Sequence, residues 1–232
     1  MKRKLTFILF CIYFTCLLLY IKPTITLYEV VGVDVSRYQG NIDWEIISSQ
    51  NFSFAFIKAT EGSNHVDKYF STNWENVSKT SVLAAPYHFL SYDSSGITQA
   101  ENFISCVGKK SQMLPPVVDV EFYGAYYNTP PSCEVVYEIL DSFLFELERF
   151  YGVKPIIYAT FEAYELYIKD RYNEYPLWIR NVYFHPVFLG ITNWQFWQYS
   201  DDGMLTGHEG SAIDLNVFRG SKKELKELLI KQ

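Results

Sequence analysis

The chain of 232 residues is poor in the residues that build metal and nucleotide sites. It has four cysteines, four histidines and 12 glycines. No His, Cys or carboxylate cluster has metal-ligand spacing, and no glycine-rich loop is shaped to cradle a phosphate. Neither a cofactor nor a metal is therefore expected. Low-complexity tracts are missing as well, and about half of the residues are apolar, which excludes a disordered chain. Positive charge is scarce beyond the N-terminus. Residues 1–22 hold Lys2, Arg3, Lys4 and Lys22 and no acid, which leaves 16 basic against 26 acidic residues in the rest. An acidic body repels phosphate backbones, so nucleic acid is not an expected partner. Cys11 and Cys16 lie in an apolar run; Cys106 and Cys133 lie further on, where an oxidising compartment would let them pair. A domain of this size buries a full core without that staple, so the unpaired state is the preferred reading.

One stretch has no charge at all. Leu5–Ile21 is apolar, follows Lys2-Arg-Lys4, and sits at the short end of what crosses a bilayer. Lys22-Pro-Thr-Ile-Thr-Leu-Tyr28 offers no small-x-small cleavage site, so residues 1–22 read as an uncleaved signal anchor, with a cleaved signal peptide as the alternative. The basic flank keeps the N-terminus inside and exports the rest, anchored through residues 5–21 or secreted. Residues 23–30 form a short linker and residues 31–232 a single domain, expected as a monomer.

What is present is an alternation. β-rich runs at Val31–Val35, Phe54–Lys58, Leu83–Phe89, Val117–Glu121, Pro155–Tyr158, Leu177–Ile179, Trp194–Gln198 and Ala212–Val217 are interleaved with helical patterns at Ile42–Ser49, Phe70–Ser81, Thr98–Cys106, Cys133–Phe150 and Lys222–Ile230. Phe54-Ala-Phe-Ile57 and Ile156-Ile-Tyr158 are apolar on both faces, as parallel strands covered on each side must be. In the fourth helix Val136, Ile139, Leu140, Phe143, Leu144 and Leu147 recur at helical spacing behind a capping Ser132. Eight strands with interleaved helices predict an α/β fold, a single TIM-like β/α barrel whose helices thin out after the fifth strand.

Such a barrel builds its active site where strands end at the C-terminal face. Acids recur there: Asp34 after Val31-Gly-Val33, Asp119 and Glu121 closing Pro115-Pro-Val-Val-Asp-Val-Glu121, and Asp214 in Ala212-Ile-Asp-Leu-Asn-Val217. Positions i and i+2 of a strand share a face, so Asp119 and Glu121 point together into the mouth with α-carbons about 6–7 Å apart. Two crowded, partly dry carboxyls do not both ionise, and the pair then offers an acid and a base, the requirement for cutting a glycosidic bond. A lone D-x-E is ordinarily an ion-pairing element; the recurrence of strand-end acids flanked by Tyr and Trp lifts this one above that reading.

The motifs together are more specific. Gly32-Val-Asp-Val-Ser-Arg-Tyr-Gln-Gly40 with Ile42-Asp-Trp44 resembles the opening motif of glycoside hydrolase family 25, the Chalaropsis-type lysozymes. Phe56-Ile-Lys-Ala-Thr-Glu-Gly62, Pro86-Tyr-His-Phe89, Leu114-Pro-Pro-Val-Val-Asp-Val-Glu121, Lys154-Pro-Ile-Ile-Tyr158, Leu177-Trp-Ile179, Trp197-Gln-Tyr-Ser200 and Ile213-Asp-Leu-Asn-Val-Phe218 follow in the family's order. The resemblance implies cleavage of the β-1,4 bond between N-acetylmuramic acid and N-acetylglucosamine in peptidoglycan glycan strands. It implies Glu121 as general acid, Asp119 as partner carboxylate, and Asp34 and Asp214 completing an acidic floor. It places Lys58, Tyr87, Tyr158, Trp178 and Trp197 near substrate. From residue type alone, Lys58 equally suits a cation balancing Glu61, the two tryptophans equally suit burial, His88 suits a structural histidine, and Asp43 a helix-capping residue. The chain departs from the family where Arg180 and Asn181 follow the sixth strand and where Tyr38 replaces the commoner Trp, and these positions are expected at the cleft. The rivals are a wall-binding barrel without turnover and a glycosidase for another N-acetylated glucan such as chitin.

Overall fold

The computed structural model describes residues 4, 6–13, 28–109 and 112–231. Most of the run read as a membrane segment lies outside these residues, and so does Cys16; among the described residues no helix is long and apolar enough to cross a membrane.

The strands are β1 (Val30–Val35), β2 (Phe54–Glu61), β3 (His65–Val66), β4 (Leu83–Phe89), β5 (Val117–Val120), β6 (Ile156–Thr160), β7 (Leu177–Arg180), β8 (Trp194–Gly203) and β9 (Ile213–Phe218). The helices are α1 (Trp44–Ser49), α2 (Phe70–Val77), α3 (Gly96–Val107), α4 (Cys133–Tyr151) and α5 (Lys222–Glu227), with a short helix at Phe161–Ala163 that runs into a π-helical turn at Tyr164–Ile168. The strand order β1-β9-β8-β7-β6-β5-β4-β2 closes through a parallel β1–β2 pairing into an eight-stranded barrel, and β3 hangs from β2 as a hairpin arm. α2 stops at Val77, short of the expected Ser81, and α5 stops at Glu227. Ser132 stands at the start of α4, but its side chain makes no capping bond.

The fold departs from an all-parallel barrel at one strand. β9 pairs antiparallel with both β8 and β1. Only residues 204–212 separate it from β8, enough for a reversal but too few for the dozen or more residues that a parallel crossover needs. Beyond β6 the outer layer loses full helices: residues 181–193 carry only the 3₁₀ turn Pro186–Leu189.

Strand alternation sorts the core into two parts. One set of side chains fills the barrel: Val30, Phe54, Phe56, Ala85, Val117, Ile156, Trp178, Phe196 and Phe218. Their neighbours in sequence point outward against the helices, where the apolar stripe of α4 is buried. Gly32 faces inward, and a Cβ there would come within 2.5 Å of the Phe54 ring, so the glycine makes room for the aromatic floor. That floor closes the barrel from below and leaves its C-terminal mouth as the place where polar side chains gather.

Candidate active site

The mouth is a cavity of about 240 Å³. Asp34 from β1, Lys58 from β2, Tyr87 from β4, Asp119 and Glu121 from β5 and the residue just past it, Tyr158 from β6, Trp178 from β7 and Asp214 from β9 all line it. A larger cavity of about 800 Å³ opens on the outer face beside Phe70, Trp74, Val77 and Met113, but its two carboxyls are engaged elsewhere, Asp67 accepting from the Arg37 and Tyr69 amides and Glu75 pairing with Lys79, so size does not locate the chemistry.

Two amides organise the floor. Gln198 Nε2 donates to Asp34 Oδ2 at 2.8 Å, and Asn216 Nδ2 donates to the same oxygen at 2.7 Å. Each amide oxygen accepts from an aromatic: Gln198 Oε1 from the Tyr158 hydroxyl at 3.0 Å, and Asn216 Oδ1 from the Trp178 indole at 2.8 Å. These partners fix both amide orientations and leave Asp34 as a pure acceptor. Asp214 is the cross-strand neighbour of Asp34. Burial, the Asp34 charge and its hydrogen bond to Asp34 raise the Asp214 carboxyl to about 9, so at neutral pH Asp214 holds a proton and donates it to Asp34.

Asp119 and Glu121 form the second carboxyl pair. Asp119 is buried, and its carboxyl is raised by desolvation and by the Glu121 charge, against the lowering effect of Lys58. Glu121 lies nearer the solvent and is raised to about 7, chiefly by desolvation, against the opposing charges of Arg180 and Lys58. The pair therefore keeps a proton in the neutral range. Asp119 Oδ1 is buried without a hydrogen-bond partner among the described residues. Tyr87 and Tyr158 stay protonated, because burial and the surrounding carboxyls push both phenols up.

The sequence model of glycosyl hydrolases family 25 matches residues 33–208. The chain belongs to this family. It is 33% identical to lysozyme M1 of Streptomyces globisporus over 86% of this chain and 73% of that protein. The solved structure of a family 25 glycosyl hydrolase from Bacillus anthracis shares 50% identity and a TM-score of 0.84, covering 89% of this chain and 96% of that one. A bacterial lysozyme from Streptomyces coelicolor shares 32% identity and a TM-score of 0.76, covering 86% and 96%. The protein is thus a glycoside hydrolase, and the two carboxyl pairs sit at the mouth of a family 25 barrel.

The structure does not bring every expected residue to that mouth. Trp197 points out of the barrel: its indole donates to the Asn181 carbonyl at 2.9 Å and packs against Tyr28, His185, Trp194 and Tyr199. Its neighbours Phe196 and Gln198 take the inward positions. Trp178 is inside but sealed, stacked on Phe56 at 4.0 Å, so it builds the floor and offers no open face to a sugar. Lys58 fills both readings at once, lining the cavity while its Nζ pairs with Glu61 at 2.7 Å. Of the family departures, Tyr38 and Arg180 line the cavity, whereas the Asn181 side chain accepts from the Tyr183 and Phe184 amides in a turn.

His88 is structural. Gln99 Nε2 donates to the Ser91 and Ser94 carbonyls, so Gln99 Oε1 is the acceptor that meets His88 Nε2 at 3.0 Å. His88 Nδ1 then accepts from the Thr60 hydroxyl at 2.7 Å, and burial lowers the imidazole to about 4, leaving it neutral. Asp43 accepts from the Ile46 amide and caps α1. Cys106 and Cys133 are unpaired. Gln198, Asn216 and Asp201 were missed from sequence; Asn216 stands two residues after Asp214, and strand alternation carried one step further points to it.

Proposed function

We propose that this family 25 hydrolase is a peptidoglycan muramidase that cuts the β-1,4 bond between N-acetylmuramic acid and N-acetylglucosamine. The observation that carries the reading is the Asp119–Glu121 pair, which lines the mouth together with Asp34 and Asp214, with burial raising both of its carboxyls toward the neutral range. Glu121, the more exposed of the two, is the general acid. It protonates the glycosidic oxygen as the bond to the anomeric carbon breaks, and water later supplies hydroxide to that carbon and a proton back to the carboxyl. Asp119 faces the developing positive charge, and its unpartnered Oδ1 is placed to accept from the substrate acetamido N–H. Asp34, whose carboxyl burial raises against the lowering hydrogen bonds from Asn216, Gln198 and Asp214, and protonated Asp214 hold the floor rigid beneath the sugar ring.

Lysozyme M1 of Streptomyces globisporus, 33% identical, supports the substrate assignment. All the acids come from one chain, so a monomer suffices. Residues 5–21 are read as the export signal, retained as an anchor or removed, which places the enzyme beside the cell wall.

The test is digestion of purified peptidoglycan by residues 23–232, with Glu121→Gln alongside and new reducing ends read by mass spectrometry. Muramic-acid ends from the wild type, and a loss of roughly 10²–10⁴-fold in the variant, are expected for removal of a general acid. Glucosamine ends would reassign the specificity. The absence of any new ends from folded wild-type protein on several wall types would leave a wall-binding barrel.

A further inference from the structure

The cleft carries two cations, and they are not equivalent. In the closed order β1-β2-β4-β5-β6-β7-β8-β9, Lys58 on β2 and Arg180 on β7 lie four strands apart, on opposite walls of the mouth. Lys58 is almost wholly buried, ion-paired to Glu61, with its Nζ lying 4.5 Å above the Phe89 ring. It is a component of the wall. Arg180 stands at the rim with its side chain 32% exposed, and Asp201 on β8 holds its Nη2 at 2.7 Å. That contact uses one nitrogen of a guanidinium that itself lines the cavity. The carboxyl groups lining the cavity are Asp34, Asp119, Glu121, Asp201 and Asp214, of which Asp214 and the Asp119–Glu121 pair retain protons. Arg180 is the more exposed of the two cations and so the one an anionic substituent entering the mouth can reach.

We propose that Arg180 is a specificity-determining residue that receives a carboxylate of the muramyl unit. The inference rests on the muramidase reading and goes beyond it. The muramyl sugar differs from N-acetylglucosamine by a lactyl ether, which ends in a carboxylate when unsubstituted and carries further carboxylates when a peptide is attached. A guanidinium fork held from one side by Asp201 is pre-organised for such a group, because its planar donors match the two carboxylate oxygens and little side-chain freedom remains to be lost. Lysine at the same position would supply charge without the fork.

Binding tests this without turnover. Glu121→Gln protein, alone and combined with Arg180→Gln or Arg180→Lys, is titrated by calorimetry with three forms of a defined glucosaminyl-muramyl tetrasaccharide: the free lactyl acid, its methylamide, and a form bearing a short acidic peptide. A partly exposed charged pair contributes on the order of a tenfold preference for carboxylate over amide. Arg180→Gln is expected to bring that preference down to about one, with Arg180→Lys between. Loss of preference for the free acid alone identifies the lactyl carboxylate, and loss for the peptide form alone identifies the stem. Equal weakening of all three by Arg180→Gln, or no preference in the parent protein, overturns the inference and leaves the muramidase reading intact. Absence of binding to all three removes both. Thermal melts of each variant separate a failure to fold from a failure to bind.

Discussion

Asp214→Asn is expected to make the fold more stable at neutral pH while lowering its activity. In the folded chain the Asp214 carboxyl keeps its proton up to about 9, whereas its ordinary value is 3.8. Between those limits the unfolded chain ionises and the folded chain does not. Folding must therefore take up a proton, and stability falls as pH rises, by up to about 1.4 kcal/mol per pH unit from this group. At pH 7 the accumulated cost has a ceiling of about 4 kcal/mol, and partial exposure at the mouth lowers the expected effect to roughly 2–4 kcal/mol. Asparagine keeps the donor to Asp34 and has no proton to take up. The assay is denaturant unfolding of both proteins at pH 5, 6, 7 and 8. The stability of the variant relative to wild type should climb across the series, because only the wild type loses stability through this carboxyl. Parallel curves, or a variant that falls behind as pH rises, would refute a protonated Asp214 and with it the single-proton reading of the Asp34–Asp214 pair. Lower kcat in the stabilised variant would mark the strain as part of the site.

Two further perturbations probe the pair above and the outer wall. Because Glu121 acts only when protonated and is raised to about 7, kcat/KM should fall as pH rises through about 7; Arg180→Gln removes a neighbouring positive charge that lowers Glu121 and should move that limb upward, as read from pH–rate profiles. Trp197→Phe removes the donor to the Asn181 carbonyl and part of a buried ring, so denaturant melts should show a loss of about 2 kcal/mol with kcat/KM within about twofold, and a selective rise in KM would return Trp197 to the cleft.

Much of the site was legible because it depends on local geometry. The face shared by Asp119 and Glu121 follows from the period of a strand, and the stripe of α4 from the period of a helix. His88, within Tyr87-His-Phe89, reads as structural because a strand presents successive side chains to opposite layers, and here it meets Phe143 of α4 at 4.7 Å instead of the mouth. Alternation alone, however, does not say which of two adjacent residues faces in. Trp197 and Gln198 exchange roles with a one-residue change of phase, and so do Arg180 and Asn181. Only pairing with neighbouring strands fixes the phase, and it sends the amide inward to Asp34 and the indole outward to Asn181.

The sequence by itself determined the eight barrel strands and the strand-end positions of Asp34, Asp119 and Glu121, because hydrophobic period and strand length are properties of short segments. Tertiary structure alone decided the direction of β9, which brings Asp214 to the mouth at the start of its strand, opposite Asp34. It also decided the protonation of each carboxyl, because that depends on burial and on charges contributed by strands far apart in sequence: Asp34, Asp119, Arg180 and Asp214 interact only once the barrel closes.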